Sequence, residues 1–257
     1  MFSDVSLHVL YKIANAPIRL FPFPHIFVEE IFPWDFYREI RAHLPPPEVF
    51  KTPKALKRVY GEYPESRLVL PFDRDNLGEV AEPFRSFWAS VSSWLLNGSL
   101  GPRIMPKFQT FFEQRFGDVP SRQFHDEAML VQDYTTYRLG PHTDSPQKAL
   151  SMLFYLPPDD SQAHLGTSIY VPKDPEFTCH GTTHHPYEQF RRVFTMPYLP
   201  NTLFAFPKTH TSFHGVEPIT ETKVRRDLLL YDIKVTNPPE LEASAAPSAA
   251  AASVKSF

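Results

Sequence analysis

The first half of the chain carries apolar side chains at the spacing of amphipathic helices. A short apolar strand at residues 25–28 leads into one such helix, which the three prolines at residues 45–47 end. Residues 79–97 predict a second helix. The buried faces should carry Phe36, Tyr37, Ile40 and Leu44 in the first helix, and Phe84, Phe87, Trp88, Val91, Trp94 and Leu95 in the second. We interpret these aromatic side chains as core packing.

From about residue 129 the pattern changes to short apolar runs separated by Pro, Gly and Asp turns. The runs cover residues 128–137, 149–157, 166–172, 191–200, 201–207 and 225–235. Short strands at such close spacing favour an antiparallel sandwich or barrel over alternating strands and helices. We therefore predict one mainly β domain over residues 1–238, with helical support over about 1–128 and the β core over about 129–238.

The last residues, 239–257, are rich in Ala and Pro and offer almost nothing to bury. A segment of this composition cannot compensate the entropy lost on ordering. We expect a disordered tail.

The charge of the chain limits the class of partner, and its cysteine content indicates the compartment. The 26 basic and 29 acidic side chains give a net charge of −3, so no nucleic-acid partner is expected. The basic run at residues 51–58 is interpreted as a solvated surface segment.

A single cysteine, Cys179, allows no internal disulfide and suits a reducing compartment. With no apolar run of membrane-span length and no signal-peptide layout, we expect a cytoplasmic protein.

Three residues form a candidate metal site. His142 and Asp144 are two positions apart, so in an extended segment both side chains point to the same face. His214 offers a third ligand. Two imidazoles and one carboxylate on one face of an octahedron leave three positions open, which suits Fe(II) with a bidentate co-substrate and O2.

A His-x-Asp pair is a weak signal alone, and His125 with Glu127 forms a rival pair. His142 is preferred because it follows Leu-Gly-Pro and precedes a strongly apolar run, which places it at the mouth of a strand. His125 lies in a polar patch and is interpreted as a surface or loop histidine.

The basic pair Arg225 and Arg226 opens the strand at residues 225–235. A dianionic co-substrate needs a buried cation at its far carboxylate, and the rigid guanidinium fork suits that partner. Strand alternation puts Arg225 on the more apolar face, so Arg225 is predicted to point inward. The alternative is that both arginines are surface charges at a strand start.

Four segments in order, HTD, LGTSIYVP, PNTLFAFPKTHTSFHGVEPI and RRDLLLYDI, resemble the 2-oxoglutarate- and Fe(II)-dependent oxygenases, most closely their prolyl-hydroxylase-like branch. The resemblance covers about residues 130–235. It implies a double-stranded β-helix, a distorted jelly roll, with iron at one open end. His142, Asp144 and His214 would be the catalytic metal ligands, and Arg225 would pair with 2-oxoglutarate.

The resemblance also draws attention to Tyr134 and Tyr137, which lie where family members often place a hydroxyl near the co-substrate, and more weakly to Ser212. One position departs from the pattern. Asp227 stands where many relatives carry a hydroxyl residue, and an acid there suits a dianion only if it is turned onto Arg225 or Arg226.

The long segment at residues 172–190 carries Cys179, His180, His184 and His185. Their spacing fits no zinc pattern well, so we interpret the segment as a loop that covers the substrate.

The expected activity is hydroxylation of an unactivated C–H bond with release of succinate and CO2, requiring Fe(II), 2-oxoglutarate and O2. The alternatives are a cupin-type metal-dependent enzyme that uses no 2-oxoglutarate, or a jelly roll that binds a ligand without turnover. A small molecule and a protein side chain fit equally well as substrate, and the sequence encodes no oligomeric state.

Overall fold

A computed structural model describes residues 2–59, 61–98 and 100–241 of the 257. The helices are α1 (Phe2–Asn15), α2 (Trp34–Ala42), α3 (Arg74–Gly78), α4 (Phe84–Leu95), α5 (Leu100–Ile104) and α6 (Gln109–Phe116). The strands are β1 (Ile26–Glu29), β2 (Arg67–Pro71), β3 (Phe124–Tyr134), β4 (Leu139–His142), β5 (Lys148–Tyr155), β6 (Ser168–Pro172), β7 (Phe190–Thr195), β8 (Thr202–Pro207), β9 (His214–Val216) and β10 (Arg225–Val235).

The strands form two antiparallel sheets. The larger sheet has the order β1-β8-β5-β10-β3-β2, and the smaller has the order β4-β9-β6-β7. Neighbours in both sheets are mostly distant in sequence, as expected for a jelly roll rather than a meander of hairpins. The predicted mainly β, antiparallel architecture is confirmed.

The larger sheet is buried on both faces. Along β10, Leu229, Tyr231 and Ile233 point into a core shared with the helices, whereas Leu228 and Leu230 point into the space between the sheets. Successive side chains of a strand alternate between faces, so an eleven-residue strand can serve both cores. β10 therefore separates the helical layer from the interior of the barrel.

The two predicted helices are present as α2 and α4. Pro33 precedes α2, which ends at Ala42, so Leu44 lies beyond its end. In α4, Trp88, Val91, Trp94 and Leu95 are buried, while Phe84 and Phe87 are partly buried against the same core. No helix among the described residues is both long and apolar enough to cross a membrane.

The division into a helical first half and a β second half is less sharp than the sequence predicts. β1 and β2 lie within the first 128 residues, yet both join the larger sheet as its edge strands. β3 begins at Phe124, five residues before the predicted start of the β core. Edge strands this short carry too little periodicity to stand out in a helix-rich region.

The predicted tail falls mostly on residues 242–257, which lie outside the described part of the chain. Its first residues are described, and Glu240 is held by an ion pair from Arg115 of α6, with Nε 2.9 Å from Oε1. Glu240 is thus a contact point between the end of the β core and the helical layer.

Candidate metal centre and cavity

His142, Asp144 and His214 come together at the mouth of the barrel. One ligand atom from each can be chosen so that all lie within 4.8 Å of one another, and the three residues are buried. His142 ends β4, Asp144 follows two residues later, and His214 begins β9. Two imidazoles and one carboxylate are the donor set of a facial triad, so these residues fit a non-haem Fe(II) ion.

The pairing of β4 with β9 creates this proximity. His142 and His214 are direct cross-strand partners, and their ring centroids are 4.3 Å apart. Gly215 allows the strands to approach, because a Cβ atom there would lie 2.4 Å from the backbone oxygen of Leu139.

Backbone carbonyls orient both imidazoles. Nδ1 of His142 lies 3.0 Å from the oxygen of Gly140, and Nδ1 of His214 lies 3.0 Å from that of Ser212. Each carbonyl favours the tautomer with the proton on Nδ1, which leaves the Nε2 lone pair for a metal. Burial lowers the pKa of both histidines, and the neighbouring imidazoles lower that of His142 further. Both rings are therefore neutral ligands at pH 7.

Asp144 is fixed by two residues of β5. Ser151 donates a hydrogen bond to Oδ2 at 2.6 Å, and Lys148 Nζ lies 3.4 Å from Oδ1. Burial alone would raise the pKa of Asp144, but Lys148, the two imidazoles and the Ser151 hydroxyl lower it to a net value well below normal. Asp144 is therefore an anionic ligand at any physiological pH.

A cavity of about 810 Å³ extends inward from this site between the sheets. It is lined by His142 and Asp144, by the apolar side chains of Met129, Val131 and Leu230, and by charged side chains that include Arg58, Arg67, Glu127, Lys148, Asp232 and Lys234. A second hollow of about 960 Å³ opens outside. The residues that line both spaces are Glu62, Tyr63 and His184.

Arg67, which lines the cavity, belongs to a buried group with surplus positive charge, here called the cationic end. Asp133 accepts two hydrogen bonds from Arg67, at 2.6 and 2.9 Å, and one from Arg226 at 2.6 Å. The guanidinium of Arg226 also faces the rings of Tyr155 and Tyr198 at 5.6 and 5.3 Å. Two arginines share one carboxylate, so the group carries a net charge of +1.

Comparison with solved structures identifies the fold. The non-haem alpha-ketoglutarate-dependent carbocyclase SnoK from nogalamycin biosynthesis matches with a TM-score of 0.50 at 12% identity, covering 93% of this chain and 88% of that chain. This chain has the double-stranded β-helix fold of the 2-oxoglutarate oxygenases.

Two further matches have lower structural similarity. A Pseudomonas putida prolyl-4-hydroxylase matches at 14% identity and a TM-score of 0.47, covering 90% of this chain and 99% of that chain. HygX from Streptomyces hygroscopicus, with nickel and 2-oxoglutarate bound, matches at 12% identity and a TM-score of 0.43, covering 88% and 86%. No family model and no curated protein matches the sequence.

The prediction that Arg225 points into the double-stranded β-helix is wrong. Arg226 is fully buried and shares a face with Leu228 and Leu230, whereas the Arg225 side chain is 39% exposed. The prediction requires that the more apolar face of β10 lines the cavity. In the structure that face packs under the helices, and the more polar face is the interior one.

Asp227 is turned away from the cavity, which removes the objection to an acid at this position. Its Oδ2 atom lies 3.2 Å from Arg225 Nε and 3.0 Å from Arg41 Nη1. Arg225 therefore contributes to an ion-pair group with Arg41 on the helical side of β10.

Tyr134 and Tyr137 lie in different parts of the structure. Tyr134 pairs with Arg225 in the β3–β10 register, and its hydroxyl donates to Gln132 at 2.7 Å, so the structure does not bring it to the cavity. Tyr137 is fully buried, with Arg67 Cζ 4.3 Å above its ring, and so lies beside the cationic end. Ser212 is used locally, since its hydroxyl donates to the Thr209 carbonyl at 3.1 Å.

The rival pair does not form a metal site. His125 is exposed, as expected, whereas Glu127 binds Arg58 at 2.6 Å and Lys234 at 2.5 Å. The contact of Arg58 also corrects the interpretation of residues 51–58 as a purely solvated segment, because Arg58 lines the cavity.

The loop at residues 172–190 packs against β4, the strand that ends at His142. The His184 ring meets the His142 ring edge-on with centroids 4.8 Å apart, and His185 N donates to the Pro141 carbonyl at 2.8 Å. His180 instead packs on His210. Among the described residues, His142, Asp144 and His214 are the only group of metal-binding type with donor atoms this close.

Four residues of the site were not predicted from the sequence. Arg67 and Lys148 line the cavity, and Asp133 and Ser151 hydrogen-bond to Arg67 and Asp144. Lys148 and Ser151 could have been found, because they lie on the strand that directly follows Asp144. Arg67 and Asp133 carry no local signal, since they meet only through the pairing of β2 with β3.

Proposed function

We propose that this protein is an Fe(II)- and 2-oxoglutarate-dependent oxygenase that hydroxylates an unactivated C–H bond with release of succinate and CO2. The observation that carries the proposal is a cavity lined by His142 and Asp144 of the donor set and by Arg67, which belongs to a group with surplus positive charge. A dianion with one metal-chelating end suits that arrangement.

The spacing of the two ends supports this assignment. Ser151 contacts Asp144 at the metal end, and Tyr155, four residues further along β5, faces Arg226 at the cationic end. Four residues of extended strand span about 13 Å. Met129, Val131 and Leu230 contribute apolar lining, whereas Arg58, Glu127, Asp232 and Lys234 contribute charged lining.

In this proposal each residue has a distinct role. His142, Asp144 and His214 would hold Fe(II), which when bound supplies the oxidative chemistry with O2 and 2-oxoglutarate. Arg67, supported by Asp133 and Arg226, would bind the far carboxylate of 2-oxoglutarate.

The outer hollow supports a route for the substrate. It opens to solvent and meets the inner cavity at Tyr63 and His184, beside the metal end. A substrate entering there would pass Tyr63, whose hydroxyl accepts a hydrogen bond from Arg67 at 3.4 Å, before it reached the donor set.

One observation favours the second candidate, a metal-dependent enzyme that uses no 2-oxoglutarate. Asp133 already neutralises one of the two arginines, so Arg226 does not need an added anion. The two candidates differ in whether the metal-loaded protein consumes 2-oxoglutarate.

The proposal is tested by incubating the protein with Fe(II), 2-oxoglutarate and O2 and measuring succinate against 2-oxoglutarate consumed. We expect succinate in equal amount to the 2-oxoglutarate lost, and none from His142→Ala. His125→Ala is the matched control, because it removes an exposed histidine outside the donor set. Iron binding without any succinate would support the second candidate, and no iron binding would support a jelly roll without turnover.

A further inference from the structure

Lys148 lies between the metal-ligand candidate Asp144 and a second buried carboxylate. Its Nζ atom is 3.4 Å from Asp144 Oδ1 and 3.1 Å from Asp232 Oδ2. The side chains of the two acids are 9% and 1% exposed, so the ammonium interacts with both in a region of low dielectric constant.

This contact differs from the one that fixes the other oxygen of Asp144. Ser151 donates a neutral hydroxyl hydrogen bond to Oδ2, which orients the carboxylate without changing its charge. Lys148 instead places a full positive charge beside Oδ1, the oxygen that lies 3.9 Å from His214 Nε2. A cation bound by Asp144 must therefore share the neighbourhood of this oxygen with the ammonium.

A lysine is ordinarily protonated at pH 7, and Lys148 lies within ion-pair distance of two carboxylates. With both carboxylates ionised, the three side chains carry a charge of −1. Without Lys148 they would carry −2.

We infer that the positive charge of Lys148 weakens the binding of a divalent cation at the metal centre and strengthens the binding of dianionic 2-oxoglutarate. The inference rests on the proposed function. Like charges repel and opposite charges attract over this range, so one ammonium has opposite effects on the two ligands. Lys148 also lines the cavity, which places its charge where the dianion would lie.

A purely positioning role would have a different signature. If Lys148 served only to hold Asp144 in place, its removal would disorder the ligand carboxylate and weaken the binding of metal and co-substrate together. The sign of the two changes therefore separates the two roles.

The test compares wild type with Lys148→Met, first for Co(II) binding to metal-free protein and then for 2-oxoglutarate binding to Co(II)-loaded protein. We expect about tenfold tighter Co(II) binding and about tenfold weaker 2-oxoglutarate binding. Lys148→Arg keeps the charge and should restore both affinities toward wild type.

Lys51→Met is the control. It removes a lysine outside the cavity, whose ion pair is with the half-exposed Glu79. Both affinities should stay within about twofold of wild type. Thermal unfolding of each variant confirms that the fold is retained.

Asp232→Asn provides a change of opposite sign. It removes the second carboxylate and leaves Lys148 paired with Asp144 alone, so Co(II) binding should weaken.

Weaker binding of both ligands to Lys148→Met, or unchanged binding of both, would overturn the inference while leaving the proposed function intact. A wild-type protein that bound no Co(II) would overturn both.

Discussion

Arg226 Nη1 lies 2.6 Å from Asp133 Oδ2, and neither side chain is exposed to solvent. Arg67 binds the same carboxylate through two nitrogens. The cationic end of the cavity is therefore built around one acid, which neutralises half of the charge that the two arginines bring into the interior. This arrangement leaves one positive charge for a ligand without leaving an unpaired buried arginine.

Asp133→Asn should destabilise the fold strongly. The substitution leaves two buried guanidinium groups without a counter-ion, and breaking a buried pair in this way costs about 3–5 kcal/mol. Urea denaturation measures the loss. Glu79→Gln is the control, because it removes the half-exposed partner of Lys51 and should change stability far less. Equal effects of the two substitutions would contradict the central place given to Asp133.

Arg67→Gln should weaken 2-oxoglutarate binding to the Co(II)-loaded protein by at least about tenfold, because a charged hydrogen bond to the far carboxylate is lost. Arg225→Gln is the matched control and should change the affinity by less than about twofold, since Arg225 pairs with Asp227 on the other face of β10. Calorimetric titration gives both values. The reverse ranking would transfer the role to Arg225.

Glu240 should make stability depend on pH in the acid range. Burial raises its pKa, but the hydrogen bond and charge of Arg115 lower it more, to about 2 from an ordinary 4.5. A pKa that is lower in the folded state gives stability that is complete above about pH 4.5 and lost as the pH falls toward 2.

The matching variant is Glu240→Gln, which should be less stable than wild type at pH 7 by about 2 kcal/mol. The difference in unfolding free energy between the two proteins should shrink as the pH falls below about 4.5. A difference that stayed constant down to pH 3 would show that the charge of Glu240 does not contribute.

The sequence predicted the donor set because its signal is local. His142 and Asp144 are two residues apart in an extended segment, and His214 opens a strand in a similar context, so the three residues could be chosen before any strand pairing was known. The antiparallel β core was equally accessible, because its runs are short, apolar and closely spaced.

The cationic end could not be predicted because it depends on the layers of the fold. Choosing between Arg225 and Arg226 requires knowing that the helices cover the more apolar face of β10. Arg67 and Asp133 are 66 residues apart and meet only because β2 joins the edge of the larger sheet beside β3. Periodicity within one strand does not carry that information.

The most direct test of the proposed function is an anaerobic titration of metal-free protein with Fe(II) and then with 2-oxoglutarate, followed by visible absorption. We expect an absorption band of a chelated keto acid that requires both additions, disappears on admitting O2 with formation of succinate, and is absent from His142→Ala. Binding of Fe(II) with no such band at saturating 2-oxoglutarate would contradict the proposal.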